Sequence, residues 1–376
     1  MTTPLVQVNA SEAAIAEKNG HPVYAWTGTI QYAPSDWNIP ATSVVPAALS
    51  VGVNAGNFCW GTPATNTSAM QMLKLLGATY IRAAIPWNYS QGHWTSLYQS
   101  DAKTFDSVAF SAVASFAQEA KTYGLTPIFV IDGLIAPAGV YPSNPQYDAG
   151  YPVTPQDFAL ACAQLAKDCP GVKWEIINEP NYYATSSTTT LLTPSVYVEA
   201  LKAAYSAMKV ADPTCVVHLG PVSDLTFGGS GYVWLSNIYA LGIVGFFDVF
   251  SFHLYTWRGN RTWGTSDEGP LNVQISAINS LRAKFLDATP SCLSETGWQS
   301  LTTNSGDTDP EMTPELQSQY LVSWLSELKT MYPNPEVVLI YCLQDYDAPG
   351  GDWGLVEIDG VTLKPSFSAV QSFLKG

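Results

Sequence analysis

Two glutamates close segments that are otherwise built for burial. Glu179 ends the polar turn of KWEIINEPNYY (173–183), whose front half carries Trp174, Ile176 and Ile177, residues that favour a packed, pleated surface. Glu295 closes SCLSETGW (291–298) in the same manner. A pair of carboxyls at two strand ends can work on a glycosidic bond. One protonated carboxyl gives a proton to the leaving oxygen, while the other, ionised, attacks the anomeric carbon at a carboxyl separation of about 5 to 5.5 Å. An inverting pair stands about 6.5 to 9.5 Å apart to admit water. The residues alone give an unordered pair and no distance.

Other candidates stand beside them. Asn178 precedes Glu179. Arg82, in YIRAAIP, is a lone base within an apolar strand, and a buried guanidinium requires a carboxylate partner. His253 and Tyr255, in SFHLYTW, share one strand face by their two-residue spacing. Trp87 and Asn88 close the strand that holds Arg82, where they could touch a ligand or cap the fold. Trp257, Trp263 and Trp298 each follow a strand end, and each could offer a ring face to a sugar or pack within a loop.

The elements that must position these groups alternate in type. Apolar segments begin near 50, 79, 125, 173, 215, 246, 291 and 336, and helical patterns lie between them. The helix expected over about 104–123 carries Phe105, Val108, Ala109, Ala112, Val113 and Phe116 at helical spacings. Thr154 with Pro155 and Asp157 predicts a helix start, and Thr193–Pro194 and Thr313–Pro314 mark two more. Eight strands with crossover helices predict an α/β fold, a closed TIM (β/α)8 barrel over 50–376. Residues 1–49 form an N-terminal extension whose structure the sequence leaves open, with a short hairpin or a plug against the barrel bottom as readings of VYAWTGTIQYAPSDWNIP. The rival, a doubly wound sheet, lacks a GxGxxG or GxxxxGK segment, so no cofactor is expected. Long loops after several strands, at 88–100, 134–153, 182–192, 256–270 and 299–312, would share the face where barrels carry their chemistry.

Composition narrows the ligand. Of 376 residues 47% are hydrophobic and 12% charged, with twelve Trp and twenty Tyr, which argues for an ordered, well-packed chain. Asp plus Glu number 31 against 16 Lys plus Arg, a formal −15, which repels phosphate backbones; no nucleic-acid partner is expected, and neutral, hydroxyl-rich ligands are compatible. No apolar run is long enough for a membrane span, and the first twenty residues show no signal peptide, which leaves export and oligomeric state open. The six cysteines have no CxxC pairing and the four histidines are scattered, so no metal site is expected. Cys292 and Cys342 read as buried thiols, and Cys162 and Cys169 could bridge only if a helix ended between them.

NEP on the fourth strand and ETGW on the seventh, 116 residues later, resemble the large clan of retaining (β/α)8 glycoside hydrolases that contains families 5 and 39. The resemblance runs over roughly 50–376. It implies that Glu179 is the acid/base and Glu295 the nucleophile, with a β-linked carbohydrate as substrate. It further implies that Asn178 bonds the sugar 2-hydroxyl, that Arg82 keeps Glu295 ionised, that Tyr255 donates to Glu295 and that His253 lines the innermost sugar site. As donor, Glu179 is expected to have a raised pKa and to titrate jointly with Glu295. Strand eight departs from the clan, which often ends it with a tryptophan beneath the sugar. This chain has YCLQDYD, so Gln344, Asp345 or Tyr346 would fill that region, or Trp353 would reach in. A transglycosylase using the same acids and a catalytically weak carbohydrate-binding barrel are the alternatives.

Overall fold

The structure is a computed structural model; it describes residues 5–8, 24–26, 30–34, 49–55, 63–86, 98–99, 104–132, 154–181, 192–223, 225, 229–255, 271–300, 312–328, 335–347 and 351–376. Eight parallel strands form its centre: β1 Ser50–Asn54, β2 Tyr80–Pro86, β3 Thr126–Asp132, β4 Lys173–Ile176, β5 Val216–His218, β6 Phe250–Leu254, β7 Ser291–Thr296 and β8 Val337–Tyr341. They pair in the order β5-β4-β3-β2-β1-β8-β7-β6. The two ends meet where His218 bridges Val249 and Val222 bridges Phe252, both parallel. The fold is therefore the expected (β/α)8 barrel, and closing the sheet leaves its strands without a free edge.

Among the described residues eight helices follow the strands: α1 Pro63–Leu76, α2 Ser107–Thr122, α3 Pro155–Asp168, α4 Pro194–Ala211, α5 Ser230–Ala240, α6 Leu271–Lys284, α7 Pro314–Leu328 and α8 Pro365–Lys375. Their starts follow from the sequence. Thr154 Oγ1 accepts from Asp157 N at 3.1 Å and donates to the Asp157 carboxylate at 2.9 Å, and Thr193 and Thr313 accept from Val196 N and Leu316 N. The face expected for α2 is corrected in part. Asp106 caps that helix, so Val108 falls in its first turn and is exposed, while Phe110 is buried in its place.

Side chains alternate between two cores. Val51, Val53, Ile81, Phe129, Trp174, Val217, Phe250, Leu293 and Val338 face outward under the helices. Ile128, Val249, Cys292, Val337 and Leu339 meet inside the barrel with Tyr80 and Val216 against them. Above that apolar floor the interior turns polar: Arg82, Glu175, His218 and Ser251 are all buried there, with His218 Nδ1 2.9 Å from Ser251 Oγ. Burial first, then the charges of Lys173 and Arg82, hold the His218 imidazole well below its usual pKa and so neutral.

Residues 24–26 and 30–34 pair antiparallel, with Tyr24 opposite Tyr32, and residues 5–8 add a third strand on the other side of 30–34. The hairpin reading of that segment is therefore seen. Cys162 lies inside α3 and Cys169 just past its end, both free and buried, as are Cys215, Cys292 and Cys342. Cys59 and most of the five expected loops lie outside the described residues. None of the described helices is long and apolar enough to cross a membrane.

Candidate active site

Simple alternation would point Glu295 the wrong way. Cys292 faces the barrel interior and Leu293 the outer core, so Glu295 should again face outward. A register shift prevents this: Phe252 lies opposite Leu293, but His253 lies opposite Glu295, leaving Ser294 as an extra residue in β7. The bulge turns the carboxyl over the barrel mouth.

Glu179 is placed by a different break. Ile177 (φ 66°) and Glu179 (φ 41°) are both left-handed, which is costly for a β-branched residue. The chain thus leaves the strand pattern after Ile176, and Ile177 joins the outer core while Asn178 and Glu179 bend across the opening. Gly220, beyond β5, lies against this bend. A Cβ there would come within 2.2 Å of the Ile176 carbonyl oxygen and 2.4 Å of that of Ile177, so only glycine fits.

The two acids meet. One ligand atom each from Glu179, His253 and Glu295 lie within 4.8 Å of one another. Glu295 Oε1 accepts from Arg82 Nη1 at 2.6 Å and Asn54 Nδ2 at 2.8 Å, and Oε2 accepts from the Tyr255 hydroxyl at 2.7 Å. His253 Nδ1 lies 2.8 Å from Glu179 Oε1 and 3.6 Å from Glu295 Oε2. Three such groups could hold a cation, but one seated there would face the Arg82 guanidinium, so the set fits two acids better than a metal.

Charge distribution distinguishes the pair. Burial pushes the Glu179 carboxyl up, but the His253 hydrogen bond and charge, the Ser223 hydroxyl and Arg82 together outweigh it and hold Glu179 below the ordinary carboxyl value. The raised pKa expected for this residue is therefore corrected, because His253 and Ser223 donate to it. Burial, then the Glu295 charge, pushes the Tyr255 phenol well up, so it stays a donor. Burial would lower Arg82, and Glu175 and Glu295 more than compensate, keeping it charged.

Arg82 is also shared more widely than expected. Its Nε donates to Glu175 Oε1 at 2.8 Å, its Nη2 pairs with the same oxygen, and Nη2 also donates to Asn178 Oδ1 at 2.7 Å. That last bond orients the Asn178 amide so that its NH2 is the end left for a ligand.

A cavity of about 260 Å³ opens over the acids, lined by Glu179, Ser223, Tyr255, Glu295, Tyr341, Tyr346 and Trp353. Trp353, farther along the chain than strand eight, is the tryptophan among the lining residues. The Trp353 ring stands edge-on to Tyr255 at 5.4 Å and to Tyr341 at 6.0 Å. Of the other strand-eight candidates only Tyr346 lines the cavity. Gln344 is corrected: its amide donates to Ile358 O at 2.7 Å, away from the mouth. Asp345 is corrected too, because it is buried against Lys364 Nζ at 2.5 Å and accepts from Gly354 N at 2.6 Å. Trp298 packs against Tyr320 of α7, rings 5.7 Å apart, and is not among the lining residues. Trp87, Asn88, Trp257 and Trp263 lie outside the described residues.

Sequence reasoning missed Asn54, Glu175, Ser223 and Tyr341. Asn54 and Glu175 carry the signal that marked Arg82, a polar side chain in an apolar strand. Ser223 and Tyr341 carry none beyond position at a strand end.

The match to known families agrees with this geometry. Residues 45–334 match the model described as Cellulase (glycosyl hydrolase family 5). The chain belongs to glycoside hydrolase family 5. This family 5 chain is thus a glycoside hydrolase, within the clan its motifs resemble. No curated protein matches it in sequence. Among solved structures, a variant of GH5_18 from Streptomyces cattleya in complex with Manβ1-4GlcNAc superposes with a TM-score of 0.62 at 14% identity, over 87% of this chain and 80% of that one. The beta-glycosidase BGL167 gives 0.61 at 12% identity over 88% and 97%. The exo-beta-1,4-mannosidase Op5Man5 from Opitutaceae bacterium strain TAV5 gives 0.56 at 14% over 87% and 59%. At such identities these likenesses speak for the fold.

Proposed function

We propose that the protein cleaves a β-linked, neutral oligo- or polysaccharide with retention of anomeric configuration, Glu295 acting as nucleophile and Glu179 as acid/base. The observation that carries this reading is the approach of the two acids, with an oxygen of each within 4.8 Å of the other. So close an approach of single oxygens supports the retaining arrangement, whose carboxyls stand about 5 to 5.5 Å apart, over the wider inverting one.

The division of roles rests on the surroundings. Glu295 faces three donors, Arg82, Asn54 and Tyr255, an arrangement suited to an ionised carboxylate. Glu179 meets His253, which also faces Glu295, and the Ser223 hydroxyl, and keeps a side chain 23% exposed. A sugar covering the mouth removes that remaining water, which strengthens the burial effect already pushing Glu179 up and favours the protonated form needed for the first step. Glu295 Oε2 then bonds the anomeric carbon as the leaving oxygen takes the Glu179 proton. In the second step Glu179 accepts a proton from water, which attacks the same carbon and releases Glu295. Neutrality of the substrate is supported by the lining. Among the described lining residues there is no lysine or arginine to pair with a uronate, and Arg82 beneath is already engaged.

The test is a panel of β-glycosides with mass readout of products and proton NMR of the first anomer released. Expected are β product from β substrate and a loss of about four orders of magnitude in kcat for Glu295→Gln with the fold intact. Near-normal turnover by Glu295→Gln, or release of the inverted anomer first, would refute the assignment. Added sugar acceptors distinguish transfer, and predominantly hydrolytic products keep the hydrolase reading.

A further inference from the structure

Glu175 is a third carboxyl beneath the pair, and the mechanism above does not use it. It sits on β4 inside the barrel with its side chain fully buried. Its Oε1 takes both Nε and Nη2 of Arg82, while its Oε2 has no hydrogen-bond partner. The Cys292 thiol from β7 and the Tyr197 phenol from α4 feel its charge, and His218 stands opposite it in the register of β4 with β5. A buried carboxylate bound through one oxygen is a poor device for stability alone, because removing ions from water costs more than a single imperfect pair returns. The same guanidinium reaches the working side of the site through its other edge, Nη1 to Glu295 and Nη2 to Asn178.

We propose that Glu175 is a positioning residue for the reaction: it grips the inner edge of Arg82 and offsets part of its charge, aiming the outer edge at Glu295 and Asn178 without over-stabilising the Glu295 carboxylate. Resting on the assignment of Glu295 as nucleophile, the inference adds a charge balance to it. A carboxylate fully neutralised by its own arginine attacks carbon weakly. A carboxylate whose arginine is shared keeps more of its charge for the anomeric centre. Oppositely, a free carboxylate without Arg82 would lose its orientation.

The groups facing Glu295 are Arg82 from β2, Glu179 beyond β4, His253 and Tyr255 at β6, and Tyr341, Cys342 and Tyr346 at β8. None of these changes in Glu175→Gln, which keeps the side-chain shape and an oxygen for Arg82 but removes the charge. The direction follows: losing a nearby negative charge favours the ionised nucleophile, so the acidic limb of kcat/KM moves to lower pH.

The test is carbon NMR of the glutamate carboxyls in the full-length protein, with the Glu295 signal assigned by its loss in Glu295→Gln, together with the pH profile of kcat/KM. Expected for Glu175→Gln are a Glu295 carboxyl signal and an acidic limb both moved to lower pH, kcat down about tenfold and KM within twofold. Glu175→Asp retains the charge but shortens the reach; it should keep the wild-type titration and lose kcat. An unmoved or raised Glu295 titration in Glu175→Gln overturns the proposal, as does a variant altered only in thermal stability. Should Glu175→Gln fail to fold, Glu175→Asp decides: reduced kcat at unchanged Tm supports positioning, and unchanged kcat refutes it. Because the carboxyl titration needs no substrate, a wild-type protein inactive on every glycoside would count against the proposed function and leave this inference to the NMR result.

Discussion

At the scale of single residues, His253 governs when Glu179 can act. It was legible as one of two residues on a strand face, but its reach was not, since the face it shares with Tyr255 points at two different carboxyls. Nδ1 lies 2.8 Å from Glu179, and that contact is the largest influence opposing burial on this acid. His253→Gln removes the imidazole that opposes burial, so the Glu179 pKa rises and the basic limb of kcat/KM moves to higher pH. The same substitution has a stability signature. A carboxyl held below its unfolded value stabilises the fold above that value and loses this contribution as pH falls through its folded pKa. Urea denaturation should therefore show wild type more stable than His253→Gln at neutral pH, with the difference shrinking under acid. A basic limb that stays in place would show that something other than His253 sets the Glu179 proton.

At the scale of elements, the segment between β8 and α8 does what the strand end does not. The departure from the clan was visible in YCLQDYD, and Trp353 was one of the ways to repair it. What selects Trp353 is not visible in one sequence. Lys364 is fully buried, with Nζ 2.5 Å from Asp345 and 3.0 Å from Ser300, and Asp345 in turn holds Gly354 N beside Trp353. Hydrogen bonds from Cys342 N to Trp353 O and from Leu355 N to Cys342 O tie the returning segment to the β8 exit. Two ring-face candidates thus separate by packing: Trp353 lines the cavity, and Trp298 packs on Tyr320 of α7. Trp353→Ala should raise KM about tenfold, equivalent to about 1.4 kcal/mol of lost contact, whereas Trp298→Ala should lower Tm and leave KM within twofold. Steady-state kinetics with thermal melts check both, and an unchanged KM for Trp353→Ala would move the sugar platform elsewhere. The bulge at Ser294 belongs to the same lesson. Period-two reading finds β7 but misdirects Glu295, because a register shift is set by the neighbouring strand and leaves no mark in the segment itself.

At the scale of the whole molecule, the count of strands was legible because each apolar run ends in a polar or turn-forming stretch, and Thr-Pro pairs announce three of the helices. Closure was an inference from that count, and the bridges of β5 to β6 complete it. What composition could not reveal is how the first 49 residues relate to the barrel. Their strands pair with one another in a separate three-stranded sheet, and the barrel's hydrogen-bonded order uses none of them. The family match likewise begins at residue 45, close to the first barrel strand. We therefore propose that residues 1–49 are an extension added to a domain that is complete from residue 50 onward. A chain beginning at Leu49 keeps every strand and helix of the barrel and each described residue of the site. It should melt in one cooperative transition within about 4 °C of the full chain, the shift that about 1 kcal/mol produces at sizes of a few hundred residues, and should retain Glu295-dependent hydrolysis. If the shortened chain instead aggregates or melts without cooperativity, the N-terminal strands cover apolar barrel surface and belong to its core; if it folds but loses activity, they contribute to the mouth over Glu179 and Glu295.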